Sequence, residues 1–324
     1  MTMSSKLYFA YGSNLNQTDQ EEWALEQNVS LGAMTPLGRA WLPDHRLVFS
    51  LHSKRRHGGV LDVEPASGHV VPGVIFQMDE TAWDAMDRKE GLHATKSGYQ
   101  RYPTFVINAA GVPQQVETYT AKPTFKQAYV EPHPDYVAIV RQGYDRFALN
   151  DGLVGPTASD VLDQVAAGKT PPSLIRQLFV YGTLMQGECR HPFLKEVGSR
   201  LVGPRITSGS LVNLGTFPAM ILPATSSSER QRSSITPEQK IPGELFELQD
   251  PAHDWPVLDP VEEFPGYPAL ANGAYAMYHR TIIKVAPQDR LNLEEHSWTW
   301  AWTYSLADHS LPQQPIASNS WRAL

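Results

Sequence analysis

The sequence predicts an α+β fold built as two tandem barrel-like domains, and three observations carry that prediction. The chain repeats itself: Leu-Tyr-Phe-Ala-Tyr-Gly-Ser-Asn-Leu at 7–15 is answered by Leu-Phe-Val-Tyr-Gly-Thr-Leu-Met at 178–185. Val-Pro-Gly-Val-Ile-Phe at 71–76 is answered by Ile-Pro-Gly-Glu-Leu-Phe at 241–246, Met86-Asp87 with Glu90 by Leu258-Asp259 with Glu262, and Tyr99 with Arg101 by Tyr278 with Arg280. The Tyr-to-Glu separation is 79 residues in the first copy (11 to 90) and 81 in the second (181 to 262). A repeat of this length indicates tandem globular domains, because solenoid units are shorter. The 324 residues also leave room for two domains of ordinary size. Finally, strand patterns outnumber helical ones and follow each other directly, which disfavours a doubly wound parallel sheet.

Taken in order, Lys6 to Tyr11 is a short aromatic strand ended by Gly12. Asn16 to Gln27 is polar around Trp23 and Leu25 and reads as a helix. Gly38 to Leu51 holds two strand pieces around Pro43-Asp44, and Lys54 to Gly59 is a basic, glycine-rich loop. A strand at Val70 to Met78 precedes a helix from Asp79 to Glu90, with Trp83 and Met86 on one face and Gly91 as its stop. Tyr102 to Ile107 and Val116 to Thr120 are strands, and Pro132 to Leu149 is an amphipathic helix. The domains are placed at 1–150 and 176–324, joined by a linker at 151–175 with a short amphipathic piece near 161–165. In the second domain Arg176 to Tyr181 repeats the first strand. Pro223 to Lys240 reads as a mobile surface insertion. Trp298, Trp300, Trp302 and Tyr304 alternate along a strand and read as core, and Pro312 to Leu324 reads as a loose tail.

Composition closes off several classes. A formal net charge of −7 and a pI near 5.9 give no general attraction to nucleic acid or anionic membranes. No apolar run is long enough for a membrane helix, and the N-terminal residues lack a secretory apolar region, so a cytoplasmic location is expected. A single cysteine, Cys189, excludes an intrachain disulfide and a cysteine zinc cluster, and the histidines lack zinc spacing. The sequence holds neither a phosphate-binding glycine loop nor a nucleophile elbow. No metal or cofactor is expected.

The chemistry concentrates in the repeated motifs. A strand that stops at glycine and turns can aim consecutive backbone N–H groups at one anionic atom. Tyr11, Gly12, Ser13, Asn14 and Leu15 form one such turn, and Tyr181, Gly182, Thr183 and Leu184 the other. Glu90 and Glu262 recur at fixed places after these turns. A carboxylate held near an anion-binding turn suits general acid/base work, provided burial raises its pKa.

The ordered set of motifs resembles the γ-glutamylcyclotransferase family. Tyr-Gly-Ser-Asn-Leu, Gly58-Gly59-Val60, Pro72-Gly73-Val74-Ile75-Phe76, Asp87 to Gly91, Tyr99, and Pro134-Asp135-Tyr136 with Gly143 are similar to that family. Tyr-Gly-Thr-Leu-Met, Phe217-Pro218-Ala219, Gly243 to Phe246, Leu258-Asp259 with Glu262, and Tyr278 with Arg280 resemble its γ-glutamylamine cyclotransferase and AIG2-like branch. The resemblance implies two small mixed β-barrels with flanking helices. It also implies a reaction on a small-molecule γ-glutamyl substrate: the glutamyl α-amine attacks its own γ-carbonyl, giving 5-oxoproline and a free amine or amino acid. Glu90 and Glu262 are then the acid/base residues, and Tyr99, Tyr136 and Tyr278 lie near the substrate with the two turns. The second copy departs from the pattern: it has a longer segment between Glu262 and Tyr278 and no counterpart of the Tyr136 helix. Two other readings share the motifs, a γ-glutamyl-binding or regulatory module without catalysis and an amidase that releases glutamate.

Overall fold

The chain is described here by a computed structural model covering residues 6–94, 97–223, 239–288 and 298–323. It divides into two units. One comprises Met1–Asn108, Gln114–Asp151 and Gly155–Leu174, and the other Ala109–Pro113, Gly152–Val154 and Ile175–Leu324.

In the first unit β1 (Leu7–Ala10) runs into a single helical turn at Ser13–Leu15 and then α1 (Gln17–Gln27). Asn16 caps α1 by accepting the Asp19 N–H. β2 (Met34–Ser53) and β3 (Gly58–Met78) form one long antiparallel hairpin. Where two strand pieces were expected around Pro43-Asp44, β2 continues through. Asp44 takes a left-handed φ of 54° and the register slips between Pro43 and His45, so a bulge bends the strand without ending it. β3 starts at Gly58, well before Val70, because residues from Gly58 onward pair with Ser53 and its predecessors. α2 (Glu80–Lys89) is capped by Asp79 and ends at Glu90, where Gly91 supplies the positive φ of 75°. β4 (Tyr99–Asn108), β5 (Pro113–Ala121), α3 (Pro134–Arg146) and α4 (Ala158–Ala166) complete the unit. The strands close in the order β1-β3-β2-β4-β5, and the parallel contact Tyr8↔Glu117 between β1 and β5 makes the barrel mixed.

The second unit contains β6 (Gln177–Val180), α5 (His191–Glu196), β7 (Arg200–Asn213), β8 (Pro218–Ile221), β9 (Gln239–Glu247), α6 (Pro251–Val261), α7 (Tyr267–Ala271), β10 (Tyr278–Pro287), β11 (Thr299–Leu306) and β12 (Gln314–Pro315). β10-β11-β6-β9-β7 form a ring that Ala286↔Ile206 closes, and the β11–β6 pair is parallel. Two tandem mixed barrels with helices are therefore the architecture, as expected. The aromatic stripe of β11 is core: Trp300, Trp302 and Tyr304 are buried. The tail differs from its expectation as a loose segment. β12 pairs with β7, Ile316 is buried, and the buried Asn319 side chain accepts from Leu211 N–H at 2.6 Å and donates to Gly209 C=O at 3.2 Å. The surface insertion expected at 223–240 falls, over 224–238, outside the described residues.

The repeat extends to the packing. A Cβ at Gly73 would sit 2.3 Å from the Ala10 carbonyl oxygen, and one at Gly243 would sit 2.3 Å from that of Val180, so each barrel needs a bare backbone there. Thr118 donates to Phe9 C=O, and Thr303 donates to Phe179 C=O. In the first unit Asp87 accepts from Arg101 (2.9 and 2.7 Å) and from Tyr119 (2.8 Å), with the Arg101 guanidinium over Trp83. In the second, Asp259 accepts from Arg280 (3.0 Å) and Tyr304 (2.7 Å), with Arg280 over Trp255. Each aspartate thus ties the helix that ends in the repeated Glu to two barrel strands.

The two copies differ in exposure: the Arg280 side chain is 1% exposed, that of Arg101 29%. Removing the partner of a buried cation leaves an uncompensated charge. Asp259→Ala is expected to cost about 3–5 kcal/mol in urea unfolding, and Asp87→Ala less. Equal costs would mean that burial of the arginine does not govern the effect.

Candidate active site

The turn after β1 is built from short-range hydrogen bonds: Leu15 N–H to Gly12 C=O and Asn16 N–H to Ser13 C=O, both 3.0 Å. The leading N–H groups of a helical turn find no acceptor within it. They belong to residues that line a cavity of about 480 Å³, where Tyr11, Gly12, Ser13, Asn14, Glu90, Tyr99 and Tyr136 all contribute wall. Leu15 is the exception among the expected residues. It is buried beneath α3, where a Cβ at Gly143 would come within 2.6 Å of its own Cβ, and it supports the turn from behind.

Glu90 follows the last residue of α2 and is half-buried at the cavity wall. The Asn14 side-chain amide donates to Glu90 Oε1 at 2.8 Å and to Tyr8 Oη at 2.8 Å. An ionised carboxylate only accepts, which fixes the Asn14 nitrogen towards it. Burial pushes the Glu90 carboxyl above the usual carboxylate range; the Asn14 hydrogen bond and the charges of Lys89 and Arg56 pull the other way and only partly offset it. Tyr99 donates to Leu61 C=O at 2.6 Å, and Tyr136 accepts from Leu61 N–H at 3.2 Å, so two phenols grip one peptide of β3. Burial holds Tyr8, Tyr11 and Tyr99 well above their ordinary pKa and raises Tyr136 to about 12, so all four remain neutral at physiological pH.

A charged layer beside the cavity was not anticipated. The Asp19 side chain, 3% exposed, accepts from Arg56 at 2.6 and 2.7 Å and from Lys89 at 3.0 Å. Burial opposes its charge, yet Lys89 and Arg56 hold its pKa below normal. Only the basic run at 54–57 hinted at this layer.

The second copy has the same parts in a different state. Tyr181, Gly182, Thr183, Leu184, Glu262 and Tyr278 come together, but the space they share is about 30 Å³, the share of one water. A Cβ at Gly182 would lie 2.5 Å from Pro218 Cγ, and Phe217 and Pro218 line the same space. Leu184 stands where Asn14 does, and Glu262 is instead met by Arg190 Nη1 at 3.4 Å. Burial outweighs that arginine and lifts Glu262 to about 7. Among the described residues no helix takes the place of α3; Tyr181 accepts the Met220 N–H (3.0 Å), and Tyr278 donates to Pro218 C=O (2.8 Å). Among the described residues no cluster of His, Cys, Asp or Glu is placed to share a metal ion, and no helix is long and apolar enough to cross a membrane.

Residues 8–138 and 178–323 match the family described as Gamma-glutamyl cyclotransferase, AIG2-like. The chain belongs to this family. No curated protein matches it. Among solved structures, one named Gamma-glutamyl cyclotransferase is 22% identical over 50% of this chain and 99% of its own, with a TM-score of 0.38. YkqA from Bacillus subtilis is 13% identical over 94% of this chain and 84% of its own, with a TM-score of 0.32. An AIG2-like protein from Mus musculus is 20% identical over 46% and 93%, with a TM-score of 0.30.

Two outcomes follow from the paired sites. Asn14→Leu, which copies the second site, is expected to raise the Glu90 titration midpoint further, read by carboxyl ¹³C NMR; an unmoved midpoint would discount the hydrogen bond. For Glu262 the folded-state pKa lies above the unfolded one, so the stability linked to its proton is complete below the unfolded value. It is lost as pH rises through about 7. Glu262→Gln should therefore stabilise the protein more at pH 8.5 than at pH 5 in denaturant titrations.

Proposed function

We propose that the first unit is a γ-glutamyl cyclotransferase and that Glu90 is its general acid/base. The observation that carries this reading is a half-buried carboxyl of raised pKa, held by Asn14 of the Gly12–Leu15 turn at the wall of one cavity. The substrate brings its own nucleophile and electrophile, so the protein has to fold one chain and move protons. The α-ammonium gives a proton to the Glu90 carboxylate. The freed amine nitrogen bonds to the γ-carbonyl carbon, and the bond from that carbon to the departing nitrogen breaks. Glu90 returns its proton to that nitrogen, and the second proton that the attacking nitrogen sheds as the lactam forms also goes to it, leaving 5-oxoproline and the released amine as its ammonium. The turn N–H groups face an anionic oxygen of the glutamyl group. Neutral Tyr99 and Tyr136 line the same space as hydrogen-bonding walls.

A raised pKa suits Glu90 to this task, since an ordinary Glu near 4.3 is a weak base towards an ammonium group. The second unit is proposed as a non-catalytic partner: its cavity has no room for a glutamyl group, and Arg190 already occupies its carboxylate. Water as nucleophile would make the first site an amidase, and the product separates the two, free glutamate or the lactam.

Glu90→Gln is expected to lower 5-oxoproline formation by ~10²–10⁴-fold, and Glu262→Gln to leave it within about twofold. In the wild type kcat/KM rises with pH as Glu90 loses its proton, with a midpoint above the ordinary Glu value, and this limb is absent in Glu90→Gln. Full activity in Glu90→Gln, or glutamate as the sole product, would overturn the assignment.

A further inference from the structure

One buried cluster takes no part in the proton transfers. Asp19, Arg56 and Lys89 come from three elements: the first turn of α1, the β2–β3 connection and the last residue of α2. Asp19 is placed by its own helix. Asn16 caps α1 through the Asp19 N–H, and the helix dipole favours an anion in a first turn. The Asp19 carboxylate accepts from Arg56 at 2.6 and 2.7 Å and from Lys89 at 3.0 Å.

Both cations are neighbours of Glu90. Lys89 precedes it in the chain, with its side chain 6% exposed. Arg56 lines the same cavity, its guanidinium 5.5 Å from the centre of the Tyr136 ring. Either is a natural counter-ion for an ionised Glu90, yet among the described residues no ion pair reaches that carboxyl, and its partner is the Asn14 amide. The second unit shows the arrangement without such an acid. Among the described residues Arg190 pairs with no carboxylate other than Glu262, which it meets at 3.4 Å. A carboxylate paired to a cation is a weaker base.

The charges around Glu90 are Lys89 on its own helix, Arg56 and Asp19; the phenols of Tyr8, Tyr11, Tyr99 and Tyr136 surround it in neutral form. His52, Lys54 and Arg55 line the same cavity, and Arg55 lies 3.1 Å from Glu26. The charges of Lys89 and Arg56 pull the Glu90 titration down, and that of Asp19 pushes it up.

We propose that Asp19 is a positioning residue for Glu90: it holds the Arg56 guanidinium and the Lys89 ammonium to itself, so that Glu90 keeps a neutral partner and exchanges its proton with substrate. This rests on the reading of Glu90 as the acid/base of the first unit.

The test reads the Glu90 titration by carboxyl ¹³C NMR and the pH profile of kcat/KM in the full chain. The probes are γ-glutamyl-alanine and γ-glutamyl-butylamine, with 5-oxoproline as the product measured. Asp19→Asn keeps the size of the side chain and removes its charge. It is expected to lower the Glu90 midpoint by about 1 pH unit. The acid limb of kcat/KM should move down with it, and the plateau should fall several-fold. Adding Arg56→Gln to Asp19→Asn should return the midpoint towards the wild-type value, which a merely structural role would not do. Arg56→Gln alone should raise the midpoint, and it carries the test if Asp19→Asn does not fold. A midpoint that stays or rises in Asp19→Asn overturns the positioning role and leaves the cyclotransferase standing. So does an unmoved midpoint in Arg56→Gln where Asp19→Asn does not fold. Lactam from neither compound overturns the underlying reading and the role of Asp19 with it.

Discussion

The contact between the Asn14 amide and the Glu90 carboxyl joins two of the repeated motifs, the turn after the first strand and the helix that ends in Glu. One lies at the end of a barrel strand, the other at the end of a helix, 76 residues apart in sequence. Nothing local holds them together. The barrel does so: β1 is fixed by pairing with β3, and the helix is pinned to β4 and β5 through Asp87, Arg101 and Tyr119. A polar group buried without a partner is costly, so the fold accommodates this carboxyl only by giving it one. In the first unit that partner is a neutral amide. In the second it is a cation, and the cavity beside it, lined by Phe217 and Pro218, is about 30 Å³.

Much of this was legible in the sequence, because duplication turns weak signals into a comparison. A single Tyr-Gly turn or a single Glu at a helix end carries little information, whereas the same pair at nearly the same separation twice is specific. The side chains at Asn14 and Leu184 are equally plain in the sequence. Their meaning depends on which atom each faces, and that is a property of the barrel.

What the sequence left unread depends on partners remote along the chain. Asp19, Arg56 and Lys89 belong to three separate elements, and no spacing rule connects them. β2 and β3 run longer than their composition suggests because each is the other's partner, and pairing tolerates Pro43 and Asp44 once a bulge absorbs the extra residue. The polar tail from 312 is held by the short β12–β7 pairing, the buried Ile316 and the buried Asn319 side chain, and polarity alone argued the other way.

Glu90 closes the last turn of α2, immediately before the left-handed Gly91. Helix ends are where native structure opens at least cost, far below the free energy of global unfolding. Fraying of that one turn would carry the carboxyl into water and return it to an ordinary acid while the barrel stayed closed. On the proposed role of Glu90, warming would silence the chemistry before the fold melts, and thermal inactivation would report the anchoring of a single helical turn.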